Sequence, residues 1–193
     1  SLDMSTLPKS PFTDVVAGSW YFDAALYASS HNLMLGTSPT EFSPNITMTR
    51  GMLVTVLYRM NGSPSVSGKT PFTDVRTDEW YSAAVLWAYQ NGIVTGMSDT
   101  TFAPINNVTR EQMATILFRY TKTAAPDKAK ASADLSGFAD AGSVNDWAVD
   151  AMRWAVGQKL IAGITLEQSV YLQPRGNATR AQAATVLTRY YAQ

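Results

Sequence analysis

Three Thr-Arg pairs, Thr49-Arg50, Thr109-Arg110 and Thr179-Arg180, each open a stretch with apolar residues at helical spacing. A threonine at a helix N-cap accepts a hydrogen bond from a backbone N–H two or three residues on. The arginine that follows then sits at the positive end of the helix dipole, where unsatisfied N–H groups already favour an anion. Its guanidinium adds a two-pronged donor that matches a carboxylate or phosphate. A cation there opposes the dipole of its own helix, so three recurrences point to a use beyond helix stability. The alternative is that each arginine bonds an acidic side chain of the fold, and Asp14, Asp74 and Asp140 recur in step with them.

Three other residue types recur with the arginines. Asp14, Asp74 and Asp140 each stand two residues after Phe12, Phe72 and Phe138 in a loop, where an aspartate readily accepts from nearby backbone N–H groups. Trp20, Trp80 and Trp147 open a first helix in each copy; core packing is expected to take most of the ring, although one face left at a groove could stack on a sugar. Gly36, Gly96 and Gly163 are expected to supply a positive φ in a turn, or else a close backbone approach to a ligand.

These residues lie on one skeleton written three times, and internal repetition of this kind governs the fold. Alanines follow each Trp by four and eight residues (Ala24, Ala84, Ala151; Ala28, Ala88, Ala155), and Pro44, Pro104 and Pro174 precede each Thr-Arg. Nine residues beyond each of those arginines comes another, at Arg59, Arg119 and Arg189. The first two copies are offset by 60 residues throughout; the third has one extra residue before its Trp and three after its Gly. The periodicity predicts helices from Trp20 to about Asn32, from Thr49 to Met60, from Trp80 to about Asn91, from Thr109 to Tyr120, from Trp147 to about Lys159 and from Arg180 to Tyr191. Thr109 with Gln112 and Thr179 with Gln182 read as capping boxes; Met52 leaves the first copy half without one. The expected organisation is a tail (1–10), a first repeat (11–62), a linker (63–70), a second repeat (71–121), a linker with a possible short helix (122–136) and a third repeat (137–193). One two-helix unit cannot bury its own apolar face, so the three should share a single all-α body of six main helices in three helix-loop-helix repeats.

Several function classes are disfavoured. The chain has one histidine, His31, without a counterpart in the other copies, and no cysteine, so it offers neither a nucleophile–histidine arrangement with visible partners, nor disulfides, nor thiol-rich metal sites. No phosphate-loop or dinucleotide motif occurs. A carboxylate pair for glycoside cleavage could be drawn from Asp14, Asp74 and Asp140, but such an enzyme uses one asymmetric pair. The chain is therefore expected to be no enzyme, and to need no cofactor or metal. Fifteen basic and fifteen acidic side chains give zero formal charge, against bulk attraction to nucleic acid or membrane. No apolar run is long enough to span a bilayer, and Ser1 to Ser10 lacks the apolar core of a signal peptide.

The run F-x-D-V, W, A-x-x-x-A, F-x-P and T-R-x-x from Pro11 to Tyr191 resembles the S-layer homology (SLH) domain, three copies in tandem. The family's usual Thr-Arg-Ala-Glu stands here as TRGM, TREQ and TRAQ. The resemblance implies a three-pronged, pseudo-threefold helical spindle that anchors bacterial surface proteins to secondary cell-wall polysaccharide attached to peptidoglycan, often one ending in pyruvylated N-acetylmannosamine. It implies an extracellular location at the cell wall or S-layer and possible lattice contacts with neighbouring surface proteins. By position, Arg50, Arg110 and Arg180 would hold the pyruvate carboxylate. Trp20, Trp80, Trp147, Asp14, Asp74, Asp140, Gly36, Gly96, Gly163 and the capping Thr49, Thr109 and Thr179 would shape the grooves. The missing Glu implies that the grooves differ in affinity. A scaffold that assembles without binding glycan is the competing expectation.

Overall fold

The computed structural model describes residues 10–130 and 132–192, so of the expected tail only Ser10 is among the described residues. Each copy forms two helices where its apolar stripes fall. The first set is α1 (Phe22–Ser30), α3 (Ser82–Gln90) and α5 (Val149–Gly157). The second is α2 (Arg50–Met60), α4 (Arg110–Ala124) and α6 (Arg180–Tyr191). The second set starts at the threonine caps: Thr49, Thr109 and Thr179 accept from the N–H groups of Met52, Gln112 and Gln182 at 3.2–3.3 Å. The N–H groups of Thr109 and Thr179 donate in return to Oε1 of Gln112 and Gln182 at 3.1 Å, which completes the box in α4 and α6 and leaves it half made in α2. Met52→Gln should therefore stabilise the chain by about 0.5–1 kcal/mol, and Thr109→Ala should cost about 1 kcal/mol, both read from urea midpoints.

The helices pair across copies. Helix α2 packs on α3, α4 on α5, and α6 returns to α1. Each second helix thus finishes its burial on the first helix of the next copy. The backbone follows the same circuit: Val108 N–H donates to the carbonyl of Met48, Met48 N–H to that of Ala178, and Ala178 N–H to that of Val108, at 2.8–2.9 Å. Extended pairs Thr47 with Thr179, Thr49 with Asn107 and Thr109 with Asn177 flank this ring. A single apolar core runs through all three copies, with Phe42, Phe102 and Leu172 each fully buried in matching places.

The chain is helix-rich but departs from all-α at one point. The segment in which the third copy gains three residues after its Gly folds into a hairpin, β1 (Ile164–Leu166) with β2 (Ser169–Tyr171). The added residues are absorbed without disturbing the loop below. Val170 carbonyl accepts from Ala139 N–H at 2.9 Å, as Thr40 accepts from Thr13 and Thr100 from Thr73 at 2.8 Å. Of the second linker, the first residues extend α4, and Pro126–Lys128 makes a short 3-10 turn whose Lys128 carbonyl accepts from Trp154 Nε1 at 2.9 Å.

Candidate functional site

The loop ahead of each second helix is held from two sides. Asp74 accepts from the N–H groups of Phe102 and Ala103 at 2.9 and 2.7 Å. Asp14 does the same for Phe42 and Ser43, and Asp140 for Leu172 and Gln173, at 2.7–2.8 Å. The second residue of each pair, Ser43, Ala103 or Gln173, has φ between 48° and 58°, a left-handed conformation that a non-glycine residue adopts at a cost. The aspartates therefore stabilise a strained turn, and the structure gives both oxygens of each carboxylate to the backbone. Of the sequence alternatives for Asp14, Asp74 and Asp140, the turn-holding one describes their contacts.

From the other side comes an arginine of the preceding copy. Arg50 Nε donates to the Phe102 carbonyl at 2.9 Å, Arg110 Nε to Leu172 at 2.7 Å, and Arg180 Nε to Phe42 at 2.8 Å, which closes the circle. Arg50 and Arg180 also lie over the Phe102 and Phe42 rings, 4.7 and 4.9 Å from the centroids. The three arginines are 5–6% exposed, yet the one salt bridge among the described residues is the surface pair Arg76–Asp78. Each aspartate and arginine meet through a shared peptide rather than as an ion pair. Burial lowers the Arg50 guanidinium to about 10; Asp74 opposes the fall and Arg119 adds to it. Arg110 and Arg180 are lowered by burial as well, against Asp140 and Asp14. All three remain charged at neutral pH, desolvated and without a carboxylate in contact, a state that an incoming anion relieves.

The expectation that helix N-termini offer free N–H groups to that anion needs correcting. In α2 the first two N–H groups donate to Asn106 and Pro104, in α4 to Gly176 and Pro174, and in α6 to Ile46 and Pro44, all at 2.7–2.9 Å. Thr49, Thr109 and Thr179 take the third. The capping threonines join the copies to one another, which leaves the guanidinium groups as the donors that could take an anion.

Those groups face three clefts, each assembled from all three copies. Arg50 lines a cleft of about 370 Å³ with Gly96, Gln112, Arg119 and Trp147. Arg110 lines one of about 490 Å³ with Gly163, Gln182, Arg189 and Trp20. Arg180 lines one of about 380 Å³ with Gly36, Met52, Arg59 and Trp80. No acidic side chain lines any of them. Contrary to the core role expected for most of the indole, Trp20, Trp80 and Trp147 are 66%, 59% and 54% exposed. Each glycine fits against the first phenylalanine of its own copy: a Cβ on Gly36, Gly96 or Gly163 would meet Phe12, Phe72 or Phe138 at 2.6–2.8 Å. Gly96 and Gly163 have φ of 86° and 82°, whereas Gly36 lacks the positive φ expected of it and is required by this close approach alone.

Arg59, Arg119 and Arg189 complete the clefts. Their threefold recurrence was the signal available, but nothing in the spacing said that a residue nine positions into a helix shares a cleft with an arginine from another copy. His31 belongs to none of the three; it stacks on Tyr27 at 3.9 Å and is exposed.

The family model of the S-layer homology domain matches residues 11–51, 71–114 and 137–184. An endoglucanase from Bacillus sp. (strain KSM-635) is 34% identical over 92% of this chain and 18% of its own length. A surface-layer 125 kDa protein from Lysinibacillus sphaericus is 32% identical over 80% of this chain and 12% of its own. An amylopullulanase from Thermoanaerobacterium thermosulfurigenes is 28% identical over 91% and 9%. The chain spans less than a fifth of the length of these relatives. With three matched copies covering most of its residues, the chain belongs to the S-layer homology domain family.

Proposed function

We propose that this chain is a cell-wall anchoring module that acts without catalysis, holding the acidic end of a secondary cell-wall polysaccharide in its three clefts, with pyruvylated N-acetylmannosamine as the favoured terminus. Membership of the family places it at the bacterial cell surface, outside the cell. The observation that carries the glycan reading is the repeated cleft composition: an exposed indole, a buried guanidinium without a carboxylate, and a second arginine. The indole offers an apolar face to a sugar ring, and the arginine fork suits a carboxylate standing off that ring. The circuit of helix pairs and backbone bonds supports a pseudo-threefold spindle, with the repeats as 11–62, 71–121 and 137–193. The chemistry named for the enzymes among the relatives would then lie in other parts of those proteins, each far longer than this chain.

The test is co-sedimentation with purified sacculi before and after removal of the secondary polymer. Binding should vanish with the polymer, and equal binding to both preparations rules the reading out. Replacing Trp20, Trp80 and Trp147 together with Ala should leave the fold intact, since the rings are exposed, and weaken each cleft by about 2 kcal/mol, roughly 30-fold. A second reading, a structural scaffold whose arginines serve only to join the copies of the chain, is favoured by the Arg Nε bonds between copies. Concentration-dependent association indifferent to polysaccharide would support it.

A further inference from the structure

The three cleft indoles are not held alike. Trp20 and Trp80 are each followed by a tyrosine and stand edge-on to it, Tyr21 at 5.3 Å and Tyr81 at 5.1 Å between ring centroids. Trp147 is followed by Ala148, which gives no ring to lean on. The residue at the second position of the facing helix varies in the opposite sense. Where a tyrosine follows the Trp the helix carries a small residue, Gly51 in α2 and Ala181 in α6. A Cβ on Gly51 would lie 3.4 Å from the Tyr81 side chain, so the tyrosine fills that space. Where alanine follows the Trp, α4 carries Glu111.

Glu111 is 2% exposed. Its Oε1 accepts from Asn145 Nδ2 at 2.5 Å and its Oε2 from the Asn145 N–H at 3.1 Å. Asn145 is the N-cap of the 3-10 turn Asp146–Ala148 that bears Trp147, and this turn lies where the third copy has its extra residue. A buried carboxylate with two charge-assisted bonds to one residue is a stiff fastening. The geometry points to Glu111 as the positioning residue for Trp147: its clamp on Asn145 does for this indole what the tyrosine edge does for the other two. It thereby sets the affinity of the cleft that Trp147 shares with Arg50, Gln112 and Arg119. This rests on the glycan-binding reading for the ligand, but the clamp itself is a property of the free protein.

The experiment labels the chain with 5-fluorotryptophan, assigns the five 19F resonances by single Trp→Phe changes, and compares wild type with Glu111→Gly, Asn145→Ala and the double variant Glu111→Gly, Ala148→Tyr. In the ligand-free protein, Glu111→Gly and Asn145→Ala should shift or broaden Trp147 and leave Trp20 and Trp80 in place. Titration with the methyl glycoside of 4,6-pyruvylated N-acetylmannosamine should then need about 10-fold more sugar to move Trp147, with the other two clefts unchanged. The double variant, which copies the Gly51–Tyr81 arrangement, should restore both; if it fails to fold, the two single variants decide. An unmoved Trp147 in ligand-free Glu111→Gly overturns the assignment, as does an equal change at all three indoles. If no wild-type indole responds to the sugar, the anchoring reading falls, and the ligand-free spectra still decide the clamp.

Discussion

A fragment ending at Thr121 should neither fold cooperatively nor bind sacculi, although it carries two complete family repeats. The reason is the circular partnership of the helices. Removing the third copy strips α5 from α4 and α6 from α1. Trp154, 1% exposed and 5.4 Å from the Phe118 ring, goes with it, as does Tyr190, which stands 5.9 Å from Tyr120. At about 1.5–3 kcal/mol per large apolar side chain returned to water, a handful of such losses matches the whole stability of an ordinary domain. The backbone ring through Met48, Val108 and Ala178 also opens, leaving buried donors unpaired. Function fails independently of stability, because no cleft survives whole: one loses Arg180, one loses Trp147, and the third loses most of its wall. Far-ultraviolet circular dichroism through a urea series, beside co-sedimentation, checks both parts. A sharp transition with half or more of the wall binding would show that the repeats act as independent units.

That circuit marks the limit of what the residues disclosed on their own. The Thr-Arg register gave the starts of α2, α4 and α6, the Trp register placed those of α1, α3 and α5 two residues early, and the Thr-x-x-Gln spacing gave the complete caps on α4 and α6, because caps and stripes are local properties. Pairing is not local. The apolar stripe of α2 could be covered by α1 or by α3, so the pattern, which asks only that the copies share one body, cannot say which helix completes which. The Trp-x-x-x-Ala spacing read as a core stripe for the same reason. Ala24, Ala84 and Ala151 are buried, but the indole at the head of each stripe lies one turn too early to reach the core. The arginines were legible as unusual, yet their Nε partners lie 52, 62 and 138 residues away in sequence. The hairpin of the third copy showed only as three added residues.

Asp74→Asn should cost about 2–4 kcal/mol of stability, while Trp80→Ala, at a position of equal recurrence, should cost under about 1 kcal/mol. The aspartate holds two backbone N–H groups at once, the second belonging to Ala103 at φ 58°. An amide in its place can accept only one of them and sets its own N–H₂ against the other. The loss combines a charge-assisted bond, an unsatisfied donor and a left-handed residue no longer held in place. Because Arg50 donates to the carbonyl of Phe102 in the same turn, the cleft beyond it should loosen too, so Asp74→Asn should weaken glycan binding in proportion to the stability it removes. Trp80 is 59% exposed, and its truncation should instead lower affinity at its own cleft with the unfolding midpoint almost unchanged. Urea denaturation of both variants beside their sugar titrations separates the two roles. Near-normal stability with abolished binding in Asp74→Asn would make the aspartate a ligand contact after all, whereas stability lost first, with binding following it, assigns it to the turn on which the arginine rests.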